Sequence, residues 1–114
     1  MPLPELTQRL VEEKLGAYCA RKVPPQVRDQ LRLSFKIRGN FVTLSEERIA
    51  VSKPGTWVTI PLAQLRFNPQ TAEWSLYCAD RNGRWHVYSD STTSRDLNAV
   101  IRALDTDRTG IFWG

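Results

Sequence analysis

The chain has 114 residues and a formal net charge of +4, with 41% hydrophobic and 25% charged side chains. That length suits one domain with a core that needs neither disulfides nor a metal, and the composition is ordinary for a soluble globular protein. No apolar run approaches the ~20 residues of a membrane span, and the opening MPLPELTQRL lacks the charged-then-apolar pattern of a signal peptide. The expectation is therefore a cytoplasmic protein with no membrane partner.

Residues from Pro4 to about Lys22 predict a helix, since proline is tolerated in a first turn. Leu3, Leu6, Leu10, Val11, Leu15 and Tyr18 fall on one broad stripe at a 3.6-residue period. Gly16 weakens this helix by about 1 kcal/mol relative to Ala. Pro24-Pro25 ends it, because proline disfavours helical geometry in the residue before it. Arg28-Asp29 then reads as a local ion pair shaping the turn into the next element. Cys19 and Cys78 are far apart and neither belongs to a CxxC pair, so without a secretion signal both read as reduced thiols. A single histidine leaves too few soft ligands for zinc.

Leu31 to Arg38 alternates strictly, with Leu31, Leu33, Phe35 and Ile37 on one side and Arg32, Ser34, Lys36 and Arg38 on the other, which predicts a half-buried strand. A two-residue turn at Gly39-Asn40 pairs Ile37 with Val42, Phe35 with Leu44 and Arg32 with Glu47. Ser45 to Ala50 is ambiguous, and Ser52 to Gly55 is a loop or turn. Trp57 to Ile60 is a short strand, with Pro61 marking an edge, bend or short helical turn. Leu65 and Phe67 resume the alternation, and Asn68-Pro69 turns the chain again.

The stretch EWSLYCADRNGRWHVY, from Glu73 to Tyr88, reads as a hairpin. A type I′ turn at Asn82-Gly83 pairs Cys78 with Val87, Ala79 with His86 and Tyr77 with Tyr88. Trp74, Leu76, Cys78, Trp85 and Val87 then share one face, and Ser75, Tyr77, Ala79, Arg84, His86 and Tyr88 the other. A second turn is open to the same residues, with Asp80 opening a type I turn and Gly83 in the left-handed position of a bulge. It slips the register by one residue and mixes the two sets, so the cleaner sorting favours the first. Beyond polar Ser91 to Ser94, Thr93 with Asp96 resembles a capping box. Leu97, Val100, Ile101 and Leu104 follow at helical spacing, and Thr109-Gly110 ends that helix. The apolar tail Ile111-Phe112-Trp113-Gly114 is expected to fold back onto the domain. The fold class this order implies is α+β: an antiparallel meander sheet of about five strands, with an N-terminal and a C-terminal helix packed on one face.

Three segments carry a resemblance: CARKVPPQVRDQLRL from Cys19, AEWSLYCADRNGRWHVY from Ala72 and DRTGIFWG from Asp107. In order and spacing they are similar to a family of small bacterial proteins catalogued as domain of unknown function 3024. The resemblance covers nearly the whole chain and implies a bacterial source and a single free-standing domain. It brings no activity or site residue with it.

No nucleophile elbow and no glycine-rich phosphate loop is present, and no cofactor is implied. His86, placed between Arg84 and Tyr88 on a polar strand face, has no carboxylate opposite it by strand pairing and so lacks the partner that orients a general base. The acidic residues, including Glu12, Glu13, Glu46, Glu47, Asp105 and Asp107, read as solubilising. Alternation gathers Arg32, Lys36, Arg38, Trp57, Arg66, Tyr77, Arg84, His86 and Tyr88 on the sheet face away from the helices. Aromatic rings among basic side chains on an open sheet suit single-stranded nucleic acid, since rings stack on bases and cations track phosphates. The reading is a module that binds and does no chemistry, with weak single-stranded nucleic-acid binding first. The alternative is a protein partner or a homodimer on the same face.

Overall fold

Two prolines bracket the first helix, as the sequence implies. The protein is described here by a computed structural model covering residues 3–88 and 93–113. Helix α1 spans Glu5–Lys22, directly after Pro4. It buries Val11, Leu15 and Tyr18, with Leu3 tucked in ahead of it. Leu6 is 78% exposed and Leu10 is exposed too, so the stripe is narrower than the sequence suggested. At about 100° per residue, Leu6 lies nearly opposite Val11 on the helix.

The expected Arg28–Asp29 pair is replaced by a cap. Arg28 donates from Nε to the Val23 carbonyl at 3.2 Å and from Nη2 to the Ala20 carbonyl at 2.7 Å. Carbonyls at a helix C-terminus lack partners within the helix, and a guanidinium satisfies them better than it would a neighbouring exposed carboxylate. A single 3-10 turn, Pro25–Val27, links this cap to the sheet.

Five antiparallel strands follow in chain order: β1 Leu31–Arg38, β2 Phe41–Ile49, β3 Trp57–Asn68, β4 Glu73–Ala79 and β5 Trp85–Val87. The β1–β2 register is the expected one, with Ile37 opposite Val42, Phe35 opposite Leu44 and Arg32 opposite Glu47. β2 runs on through the stretch that sequence left ambiguous, and β3 passes straight through Pro61. Ser45 pairs with Pro61 and Leu44 with Ala63, so Leu62 is the extra residue of a bulge. A bulge is where a strand tolerates proline, since the ladder is already interrupted there.

The turn between β4 and β5 is the second of the two readings. Tyr77 pairs with Val87, Cys78 with His86 and Ala79 with Trp85. Gly83 has φ of 78°, whereas Asn82 is not among the residues with positive φ, and a type I′ turn requires both to be. The Asp80 side chain decides the matter: its Oδ1 accepts from the backbone N–H groups of Asn82 at 2.8 Å and Arg84 at 2.9 Å. The Asp80 carbonyl also accepts from Gly83 at 3.0 Å.

Helix α2 spans Leu97–Thr106 and is capped by Asp96, which accepts from the Asn98 N–H at 3.0 Å. Thr93 is not the cap; its hydroxyl donates to Glu73 at 3.2 Å. The helix ends before the expected Thr109-Gly110, at Asp107 in the left-handed conformation. The tail docks as expected. Phe112 is buried, with its ring 5.0 Å from that of Tyr88. The Asp107 carboxylate accepts from the N–H groups of Phe112 at 3.1 Å and Trp113 at 2.7 Å, and the Trp113 indole donates to the Leu104 carbonyl at 3.1 Å.

One buried cluster joins Val11, Leu15 and Tyr18 of α1 and Leu97, Val100, Ile101 and Leu104 of α2 with strand residues Val42, Leu44, Ala63, Leu65, Trp74, Leu76 and Cys78. By strand alternation those strand residues share one side of the sheet. The other side is the open face. Among the described residues, no helix is long and apolar enough to cross a membrane.

Candidate functional site

The open face takes its residues from alternate positions of all five strands, and its rows follow the observed pairing. Lys36, Thr43, Gln64, Tyr77 and Val87 form one row across the sheet. Arg38, Phe41, Arg66 and Ser75 form the next. On the other side of the first row, Ser34 lies beside Ser45, and beyond it Arg32, Glu47 and Thr59 line up.

The cations of this face differ in how they are held. Arg66 lies over two rings, its guanidinium carbon 3.8 Å from the Tyr77 centroid and 4.5 Å from that of Phe41. Its Nε donates to Gln64 Oε1 at 2.7 Å, which fixes the plane and leaves the remaining guanidinium nitrogens for a ligand. Arg32 sits 3.9 Å from the Trp57 ring centroid and donates to Glu47 at 3.0 Å, so its charge is largely answered. Lys36 and Arg38 are exposed and have no partner among the described residues.

Between β1 and β3, over β2, the face is hollowed into a trough of about 550 Å³. Ser34, Lys36, Arg38, Thr43, Thr59 and Gln64 line it, with Glu47 toward the Arg32 end. Gln64 is only 7% exposed although it points away from the core. Its amide donates to Thr43 Oγ1 at 3.0 Å while its carbonyl takes Arg66, so both ends of the amide are engaged.

Of the residues named from sequence, Arg32, Lys36, Arg38, Trp57, Arg66 and Tyr77 share this face. Two do not. The register slip carries Tyr88 to the core side, where it is 4% exposed, its N–H donates to the Leu76 carbonyl and its hydroxyl accepts from Thr109. His86 goes with Cys78 to that side too, at the rim of the sheet. There its Nε2 lies 2.7 Å from Asp80 Oδ2, so it has the carboxylate that strand pairing alone did not supply. The hydrogen bond to His86 is the leading reason that the Asp80 carboxyl is held below its usual range, followed by the Arg84 N–H. This pair is exposed and closes the turn. Burial raises the pKa of both thiols, that of Cys19 to about 11, which favours the protonated form over the nucleophilic thiolate. Arg84 stays in the turn, outside the strands. In place of Tyr88 and His86 the slip brings Trp85 and Val87 to the open face, beside Ala79 and Tyr77.

Sequence alternation also marks Phe41 as outward, and its bracketing of Arg66 needs the β2–β3 register to be seen. The acidic residues split: Asp105 accepts from the Tyr18 hydroxyl at 3.1 Å and from Lys22 at 3.2 Å, and Asp107 holds the tail, so both are structural. No group of three or more potential metal ligands gathers among the described residues.

The family model described as Domain of unknown function (DUF3024) matches residues 3–114. The chain belongs to the DUF3024 family. No curated protein and no solved structure matches it. In this DUF3024 chain the segments that carried the resemblance build the α1 cap, the β4–β5 hairpin and the docked tail. They frame the sheet rather than line the trough.

Proposed function

We propose that this protein is a non-enzymatic module that binds single-stranded nucleic acid across the open sheet face, in the bacterial cytoplasm. The observation that carries the reading is Arg66, held against the rings of Tyr77 and Phe41 on the same face as Lys36 and Arg38, which have no partner among the described residues. A guanidinium fixed by rings and by Gln64 is pre-organised for a planar, forked contact with phosphate. Lys36 and Arg38 add charge that no carboxylate among the described residues answers. Bases can stack on Trp85, which the slip brings to this face, and such a stack contributes about 1–3 kcal/mol.

Fluorescence anisotropy with a labelled single-stranded oligonucleotide tests this. Binding should weaken as salt rises, with a log–log slope of roughly −0.7 per neutralised phosphate. The Lys36→Ala, Arg38→Ala double variant should bind more weakly and with a flatter slope. No detectable binding at low salt would end the proposal.

A protein partner or a second copy is the alternative occupant, supported by Phe41 and Val87, which are 43% and 59% exposed on the same face. A concentration-dependent dimer in sedimentation, broken by Tyr77→Glu, would favour that reading, because the variant buries an unpaired charge.

A further inference from the structure

We infer that the trough selects ribose, so that the open face binds single-stranded RNA in preference to DNA of the same sequence; this rests on the nucleic-acid reading above. Half of the residues lining the trough, Ser34, Thr43, Ser45, Thr59 and Gln64, carry groups that both donate and accept hydrogen bonds. Ser34, Ser45 and Thr59 have hydroxyls with no protein partner among the described residues. Thr43 accepts from the Gln64 amide, which leaves its own proton free to turn toward a ligand. A 2′-hydroxyl is likewise both donor and acceptor, and it is the group by which a protein distinguishes RNA from DNA.

Charge sets the direction of the ligand in the trough. Lys36 and Arg38 stand toward one end, and Glu47 lies toward the other with its carboxylate already engaged by Arg32. A phosphate is attracted to the first end and gains little at the second, where Glu47 and Arg32 neutralise each other. A sugar hydroxyl fits the second end, because it can donate to Glu47 and exchange hydrogen bonds with Thr59 beside it. Deoxyribose presents only a methylene there, so closing over the trough would strip water from hydroxyls and return no bond. The basic residues at the rim hold the phosphates of either polymer alike and do not discriminate.

The test uses three labelled oligonucleotides of one sequence: RNA, DNA and 2′-O-methyl RNA. The expected result is RNA binding about tenfold tighter than DNA, as one or two net hydrogen bonds would give. The 2′-O-methyl form should lose most of that advantage. The Ser34→Ala, Thr59→Val double variant leaves the Gln64 network intact; it should close the gap between the two polymers by lowering RNA affinity, while DNA affinity does not fall and the melting temperature stays unchanged. Equal affinity for RNA and DNA overturns the ribose inference and leaves the nucleic-acid reading standing, as does a variant that weakens both polymers equally. Binding of none of the three overturns both.

Discussion

At Gly83 the backbone sits at φ of 78°, a conformation that costs an L side chain roughly 1–2 kcal/mol. Gly83→Ala should therefore destabilise the protein by about 1 kcal/mol in urea denaturation, whereas Asn82→Ala should change little. Equal sensitivity at both positions would restore the type I′ turn, in which both residues need positive φ. The register was open in the sequence because Asn-Gly and Asp80 each propose a turn, and the apolar sorting pointed the wrong way. The sorting misled because Tyr88 reads as polar from its hydroxyl, yet its ring belongs against Phe112. What strand patterning could not weigh was a single side chain, Asp80, satisfying two N–H groups of the turn. A second residue-scale prediction concerns Asp105. Its carboxyl is held below the usual range, first by Lys22 and, more weakly, by the Tyr18 hydroxyl. Because the folded-state pKa is depressed, its contribution is present above the ordinary carboxylate value and is lost as pH falls through the folded one. Asp105→Asn should lower the melting temperature at pH 7 and narrow the gap to wild type toward pH 3. The loss at pH 7 should stay near 1 kcal/mol, since the Asp105 side chain is about half exposed and solvent screens the pair.

Among the elements, the C-terminal tail and α1 show where pattern and packing part company. Three apolar residues in a row at a chain end predict docking, and Phe112 and Trp113 dock. Phe112→Ala should cost about 3–5 kcal/mol by opening a cavity beside Tyr88. Trp113→Phe, which removes the indole bond to Leu104, should cost about 1 kcal/mol. Leu6→Ala, by contrast, should fall within about 0.5 kcal/mol of wild type, since Leu6 is exposed on α1. Thermal and urea denaturation of the three variants rank these effects directly. A large loss for Leu6→Ala would mean that this side of α1 is covered by a partner. Sequence counted Leu6 among the buried residues because a broad stripe accepts every leucine near it. The structure keeps Val11, Leu15 and Tyr18, which span a narrower arc.

For the molecule as a whole, alternation in β1 and β4 was enough to foresee a sheet with one buried and one open side, and six of the nine residues named for the open side share it. What strand periodicity could not convey was depth. The trough exists because β2 and β3 are long, bulged at Leu62 and paired so that Thr43 and Gln64 meet, and none of that is written in local periodicity. The aromatic–arginine packing is likewise a property of cross-strand rows. The central claim is that the row from Lys36 through Thr43 and Gln64 to Tyr77 is where nucleic acid lies. Its most direct test is a titration of isotope-labelled protein with a short single-stranded RNA, followed amide by amide in NMR spectra at low salt. The account predicts that shifts concentrate at Ser34, Lys36, Thr43, Gln64, Arg66 and Tyr77, and leave Val11, Leu15 and Val100 of the helices still. Shifts confined to the helices, or none at saturating RNA, would contradict it.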